Sequence, residues 1–389
     1  MPLPPQDLRV ALRRCPSYDE ATVAAAITAL AEDLAGGWRA IIPAGARVLL
    51  KPNLLKPATP EQVVCPHPSV IKAVAQACHD AGAGSVRIGD SPGLASARRV
   101  AEKSGIAYVA QELGIEVIEF EDSQPITTPV GFSHRSLTVA TEVLQSDVII
   151  NIAKCKTHAM MGLTLSVKNL YGVFVGKQKA RWHFQCGSSY SHFARLLVEL
   201  AYTIQPAFSI VDAVVAMEGN GPGNGTPRQL GFLAASRDML SLDRIVADLV
   251  GFTPEQVPIF AAACDVGFDT VRDHIMVIGD RPEEVSVRDF QPAARMHVEG
   301  PLPVRLLGAC VRRWLTTRPL IHRDRCKSCG LCMQVCPAHC ISIPHPGEPA
   351  ALATPRCIRC FCCQEICPEG AITVHDGLGV RLLKRFRLE

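Results

Sequence analysis

Residues 326–368 read CKSCGLCMQVCPAHCISIPHPGEPAALATPRCIRCFCCQEICP. The stretch holds one spacing twice: Cys326, Cys329, Cys332 and Cys336 before Pro337, then Cys357, Cys360, Cys363 and Cys367 before Pro368. Two residues between each of the first three cysteines let a tight loop aim three thiolates at one iron-sulfur cube, while the fourth points away. In modules with this doubled spacing the fourth cysteine ligates the other cluster. The expected ligand sets are Cys326, Cys329, Cys332 and Cys367 for one 4Fe-4S cluster, and Cys357, Cys360, Cys363 and Cys336 for a second. Structural zinc accounts for paired two-residue spacings, but not for a third cysteine at that interval or for the proline. Cys340 and Cys362 fall outside the register and read as small buried side chains beside the clusters.

A disulfide framework belongs to small exported domains. The opening MPLPPQDLRVALRRCPSYDE has no apolar run of signal-peptide length, and Arg13 and Arg14 are followed by proline and acids, not by an export segment. The chain has 389 residues, of which 48% are apolar, enough for one large domain or two ordinary ones. A net charge of +3 without aromatics interleaved among basic residues argues against nucleic acid as a partner. No run approaches about 18 apolar residues, so no transmembrane segment is expected. Seventeen cysteines then point to metal ligation in a reducing compartment, and the expected location is cytoplasmic.

Upstream of the cysteines the pattern alternates. Thr22 to Leu34 has helical spacing and stops at Gly36-Gly37; Ala46 to Leu50 reads as a buried strand that opens into Lys51-Pro52-Asn53. A helix from Ser69 to about Ala81, a strand from Ser85 to Ile88, the loop Gly89-Asp90-Ser91-Pro92-Gly93 and a helix from about Ala95 follow. Asp147 to Ile152 is another strand, releasing Lys154 to His158 as a polar loop. Phe208 to Val211 delivers Asp212, and Leu230 to Ala235 delivers Ser236 and Asp238. This rhythm predicts an α/β fold, a doubly wound and mostly parallel sheet, with polar loops at the strands' carboxyl ends where such sheets bind ligands. A small α+β ferredoxin-like domain follows it. The expected boundaries are 1–300 for the α/β domain, 301–322 for a basic linker helix, 323–377 for the 4Fe-4S module and 378–389 for a basic tail. The basic linker reads as a cover for acidic surface, with a membrane surface or an acidic redox partner as the other readings.

KPNLL at 51–55, GDSPG at 89–93, NIAKCKTH at 151–158, LSVKNLYGV at 165–173, KARWH at 179–183 and VVAMEGNGPGNGTPRQLGFLAAS at 214–236 together resemble the domain of unknown function 362 family. The likeness runs from about residue 8 to 290, and the doubled cysteine motif resembles members that carry a carboxyl-terminal ferredoxin module. Membership implies an iron-sulfur protein without fixing a reaction. Between Ser236 and Asp243 the chain departs from the family pattern while keeping Asp238 and Asp243.

Lys51, Lys154, Lys156 and Lys168 sit at motif positions beside loops, and their convergence predicts a seat for a small anion, with Asn53 and Asn169 as oriented amides. Asp90, Ser91, His183 and Asn220 join them as substrate-binding candidates. His158 is the proton-transfer candidate, because an imidazole titrates near neutrality, and Lys156 and Glu218 complete the catalytic set. Asp90, Asp212, Glu218, Asp238 and Asp243 are candidates for a hard cation or, one of them, for a general base, with helix caps or pairing with the lysines as the other reading. The glycine-rich EGNGPGNG at 218–225 has neither P-loop ending nor dinucleotide spacing, so its glycines serve the approach of a ligand or of neighbouring backbone. The resulting expectation is a ferredoxin-dependent oxidoreductase that passes electrons through two clusters between an external electron carrier and a small anionic substrate. The alternative is a non-catalytic electron carrier or maturation factor docking on a partner enzyme. A metal-dependent transferase with purely structural clusters ranks behind both.

Overall fold

The computed structural model describes residues 6–187, 189–293 and 317–375. One nine-stranded sheet organises the larger part. Its strands are β1 (Arg9–Arg14), β2 (Arg47–Pro52), β3 (Ser85–Asp90) and β4 (Glu116–Glu119), followed after a separate hairpin of β5 (Ser123–Thr127) and β6 (Ser136–Ala140) by five more. These are β7 (Val148–His158), β8 (Gly162–Thr164), β9 (Phe208–Glu218), β10 (Thr226–Ser236) and β11 (Met276–Gly279). The order is β11-β1-β10-β9-β7-β2-β3-β4, with β8 folded back on the end of β7. β4, β3, β2, β7 and β9 run parallel, and β10 runs against both β9 and β1. From β2 the chain proceeds outward to β3 and β4, whereas β7 proceeds to β9 on the other side. The order therefore reverses between β2 and β7, which makes their carboxyl ends the topological switch point.

Alternation along the strands feeds two cores. Leu49, Ala153 and Cys155 face one, under the helices Tyr190–Ile204 and Met239–Leu249. Val48, Leu50, Ile150 and Ile152 face the other, under Glu20–Ala35 and Pro68–Asp80. Each fully buried aliphatic contributes roughly 1.5–3 kcal/mol, so these two layers carry the stability of the α/β part. Asp19 caps the first helix by accepting from Thr22 N at 2.9 Å, and Gly36 ends it at φ 72°. Pro68 starts the second helix, and Gly82, at φ 96°, turns the chain out of it.

Two strands outrun their apolar patterns. Lys154 to His158 belong to β7, not to a loop, and Asp212 lies within β9. Lys156, Thr157 and His158 pair with Thr164, Leu163 and Gly162, so the extension is stabilised as a hairpin that stands above the parallel sheet.

In the small domain β12 (Arg318–Ile321) pairs antiparallel with β15 (Ile372–His375), and β13 (Ile341–Ser342) with β14 (Ala351–Leu352). This corrects the expected linker helix at 301–322: its last residues form β12, which closes the module's sheet, so the module starts earlier than residue 323. Residues 301–316 and the tail at 378–389 lie outside the described residues. Each cysteine repeat turns through two left-handed residues, Ser328 (φ 55°) and Gly330 (φ 77°) in the first, Arg359 (φ 59°) and Phe361 (φ 58°) in the second. These turns bend successive cysteines toward one centre. A phenylalanine at positive φ is strained, and it is held here because the Phe361 ring is buried in the core of the α/β part.

Candidate functional site

The cysteines gather as two crossed sets. Cys326, Cys329, Cys332 and Cys367 line one small cavity, and Cys336, Cys357, Cys360 and Cys363 line another. Backbone N–H groups point at several sulfurs: Ala350 N lies 3.4 Å from Cys326 Sγ, Cys340 N 3.4 Å from Cys336 Sγ and Ala371 N 3.3 Å from Cys367 Sγ. Such donors stabilise thiolate and tune a bound cluster, so the residues present fit the group that the spacing implies. Among the described residues no three His, Cys, Asp or Glu side chains are gathered closely enough for a single metal ion. Cys340, outside the register, also lines the second cavity, with its Sγ 3.4 Å from Cys336 Sγ.

The glycine-rich stretch serves neighbouring backbone. A Cβ on Gly223 would lie 2.6 Å from the carbonyl oxygen of Glu365, and one on Gly221 2.3 Å from that of Thr157. That closeness lets the helix Cys362–Ile366 dock on the α/β domain. Gln364 Nε2 donates to Asn220 Oδ1 at 2.8 Å, Asn224 Nδ2 donates to Gln364 O at 3.1 Å, and buried Lys56 donates to Cys367 O at 3.2 Å and Asn224 Oδ1 at 2.9 Å. Asn220 therefore binds the module and does not line the cavity described next.

A cavity of about 510 Å³ opens where β2, β3 and β7 end. Asn53, Asp90, Ser91, Lys156, His158, Lys168, Asn169 and His183 all line it, so most of the predicted substrate set is brought together. The module supplies the opposite wall: Gln334 and Val335 from the helix Leu331–Val335, and Cys362, Glu365 and Ile366 from its counterpart. Gln334 and Glu365 hold the same place in the two repeats, midway between the third and fourth cysteines, so both repeats face one chamber. His158 Nδ1 accepts from Met160 N at 3.0 Å and Met161 N at 3.2 Å, which places the imidazole proton on Nε2, 3.2 Å from Glu365 Oε1. Burial lowers the pKa of His158 and leaves it neutral. Burial opposes ionisation of Glu365 too, but the adjacent His158 and the charge of Lys168 outweigh it and hold the carboxyl at about 2.

The predicted lysines divide. Lys51 Nζ pairs with Asp90 Oδ1 at 2.8 Å, and Lys154 Nζ with Asp212 Oδ2 at 2.9 Å and Tyr18 Oη at 2.5 Å. Both are buried and already neutralised, and neither lines the cavity, so the four-lysine seat is corrected to two of its members. Lys156 donates to Val64 O at 2.6 Å, and burial pushes its pKa down to about 8. Lys168 lies over the Tyr171 ring at 4.7 Å and the Phe193 ring at 5.6 Å. Asn169 bridges Lys51 O, Asn151 Oδ1 and Ile152 O, tying the floor together, and His183 stacks on Phe193 at 4.5 Å, its pKa pushed down to about 3 by burial. Glu218, the last residue of β9, does not line the chamber: its Oε2 accepts from Gln291 N at 3.0 Å, which removes it from the catalytic set. Asp243 accepts from Ser166 N at 2.8 Å and Val167 N at 3.0 Å, and Asp238 from Ser241 N at 2.8 Å, so both act as caps.

Sequence reasoning missed Glu365, Thr164 and Lys179. Thr164 and Lys179 reach the chamber through pairing and helix placement, and Lys179 stands in the quoted KARWH motif. Glu365 carried one signal, its place in the three-residue gap between two cluster cysteines.

Residues 48–248 match the family model described as domain of unknown function (DUF362), and residues 318–368 match the 4Fe-4S dicluster domain. A thylakoid-associated protein of Synechocystis sp. is 38% identical over 295 residues, 76% of this chain and 91% of that protein. Among solved structures, a structural-genomics protein of Thermotoga maritima is similar at TM-score 0.36 and 12% identity, covering 56% of each chain. The lactate racemase apoprotein of Thermoanaerobacterium thermosaccharolyticum is similar at TM-score 0.40 and 13% identity, covering 62% of this chain and 57% of that one. This chain thus spans little more than half the length of either solved structure. Among the described residues no helix is long and apolar enough to cross a membrane. Both the matched model and the relative's extent lead to one conclusion: the chain belongs to the domain of unknown function 362 family and carries a 4Fe-4S iron-sulfur domain on its carboxyl side.

Proposed function

We propose that the chain is an iron-sulfur oxidoreductase in which two 4Fe-4S clusters, held by the crossed cysteine sets, connect an external electron carrier with a small anion bound at the switch point of the sheet. One observation carries this reading: helices that contain cluster cysteines also form a wall of the chamber, so a ligand there sits beside the module. The clusters would supply electrons one at a time. Lys156 and Lys168 attract and orient the anion. His158, whose Nε2 faces the chamber 3.2 Å from Glu365 Oε1, is the group placed to give or take the proton that accompanies electron transfer. Lys51 and Lys154 hold the strand ends in register through their ion pairs.

The test is stopped-flow reoxidation of anaerobic, dithionite-reduced protein against a panel of carboxylates and phosphates and against native cell extract. Acceleration by a small anion, lost in His158→Gln, supports the reading; a rate indifferent to every addition overturns it. A cytoplasmic location belongs to the same proposal, on the strength of the cysteine content. The second reading is a non-catalytic carrier or maturation factor that docks on a partner enzyme. Stoichiometric co-purification of a partner from the native host, without ligand-dependent reoxidation, decides for it.

A further inference from the structure

We propose that the chamber takes an amphipathic carboxylate, with its head on Lys156, Lys168 and Thr164 and its apolar body against Leu55, Leu94 and Ile366. This rests on the reading that the chamber binds a small anion, and it adds what the remainder of that ligand must be.

Unused hydrogen-bonding capacity marks the seat of the head. Thr164 is 5% exposed, and its Oγ1 has no partner. Lys156, fully buried, spends one hydrogen bond on Val64 O, although an ammonium carries three donors. Lys168 rests over two rings and donates no hydrogen bond among the described residues. A buried polar group left unpaired is costly, so a ligand oxygen on Thr164 Oγ1 relieves it, while Lys156 and Lys168 have donors to spare for the same ligand. Charge points the same way. Asp90 is answered by Lys51, and Glu119 is occupied by Ala97 N at 2.8 Å and Arg98 N at 2.9 Å. His158 is neutral, so Glu365 keeps its charge and offsets Lys168, and Lys156 and Lys179 still leave the chamber short of an anion. Two ammonium groups and one hydroxyl supply enough donors for the two oxygens of a carboxylate.

The walls match an apolar body. Leu55 follows β2, Leu94 follows β3 and Ile366 comes from the module, so apolar surface enters from three separate segments. Leu94 is 39% exposed, an uncovered large aliphatic at the chamber's rim. Acetate or inorganic phosphate would leave that surface wet, whereas an alkyl or aryl body would cover it. A volume of about 510 Å³ lies in the range that encloses most of a drug-sized ligand.

The test is anaerobic titration calorimetry of the iron-loaded full chain at pH 6.5 with acetate, inorganic phosphate, octanoate and octan-1-ol. Each buried methylene is worth about fourfold in affinity, so covering about half of octanoate's six additional carbons predicts binding about 60-fold tighter than acetate. Octan-1-ol should bind at least about tenfold more weakly than octanoate, for want of the charge. Leu94→Asn, at the rim and without a change of charge, should weaken octanoate several-fold and leave acetate within about twofold. Thr164→Val should weaken both acids alike. Acetate binding as tightly as octanoate overturns the inference while the anion-binding reading stands. Octan-1-ol matching octanoate overturns the carboxylate head, and failure of acetate, phosphate and octanoate alike overturns both readings. The Leu94 variant decides even if Thr164→Val fails to fold.

Discussion

Replacing Lys51 with methionine separates a structural lysine from a ligand-binding one. Lys51 Nζ is enclosed by Asp90 Oδ1 at 2.8 Å, Pro52 O at 3.1 Å and Asn169 Oδ1 at 3.3 Å, with no exposed side-chain surface. Lys51→Met leaves Asp90 with the N–H groups of Leu54 at 2.7 Å and Ser91 at 2.9 Å, but with its charge buried and unanswered. Removing one partner of a buried pair costs about 3–5 kcal/mol. At a urea slope of about 3 kcal/mol per M, that lowers the unfolding midpoint by about 1 M or more. Combining Lys51→Met with Asp90→Asn should cost at least about 2 kcal/mol less than the sum of the single changes, because the second change removes the stranded charge. The assay is urea unfolding of the anaerobic iron-loaded protein followed by tryptophan fluorescence, with acetate affinity measured on each variant. If Lys51→Met unfolds within about 1 kcal/mol of wild type yet loses acetate affinity by tenfold, Lys51 is a ligand contact and the reasoning fails.

Cys367→Ala should abolish the same electron-resonance signal as Cys326→Ala, and Cys336→Ala the same signal as Cys363→Ala; loss of the signals in uncrossed pairs would contradict the assignment. Burial holds Lys156 at about 8 and Lys179 at about 7, so anion affinity should fall at least tenfold between pH 6.5 and pH 9 as these ammonium groups lose their protons. The groups acting on Lys156 are Cys65, Lys154, Glu365 and Lys168, and flat affinity across that range would exclude lysine as the anion's partner. For stability the sign is the reverse: a lysine whose folded pKa lies below its unfolded value of 10.5 adds stability as pH rises from about 8 to 10.5, and that gain is absent below pH 8. Glu199 is fully buried and accepts from Ser133 N, His134 N, His134 Nδ1 and Arg195 Nε, so Glu199→Gln should cost about 2–3 kcal/mol in urea at pH 7. Gly223→Ala forces the Glu365 carbonyl away, and amide exchange in residues 362–366 should quicken at least tenfold with iron content retained; unchanged exchange would mean that the close approach is not needed for docking.

The cysteine register and the starts of the parallel strands were legible because they depend on local pattern: thiol spacing, apolar runs, and glycine or proline at the ends. The upper halves of β7 and β9 were not. Lys154 and Asp212 interrupt both apolar runs and look like solvent-facing loop residues, and only their 2.9 Å pair, formed between strands 58 residues apart in sequence, lets them be buried. The same long-range pairing removed Lys51 and Lys154 from the predicted anion seat while Lys156 and Lys168 stayed. Asn220 and Glu218 stand two residues apart at the glycine-rich loop, yet one binds the module and the other Gln291, a division that composition does not encode. Glu365 enters the chamber only because Phe361, Gln364 and Lys56 dock the module, so its role depends on tertiary structure alone.

The central claim is that the chamber and the clusters act on each other. Its most direct test is potentiometric titration of the anaerobic iron-loaded protein, monitored by electron resonance, with and without saturating acetate. A tenfold difference in acetate affinity between the oxidised and reduced forms moves a one-electron potential by about 59 mV, and the account predicts a downward shift of about that size in at least one cluster, because an anion beside it disfavours the added electron. Identical midpoints with and without bound acetate would contradict it.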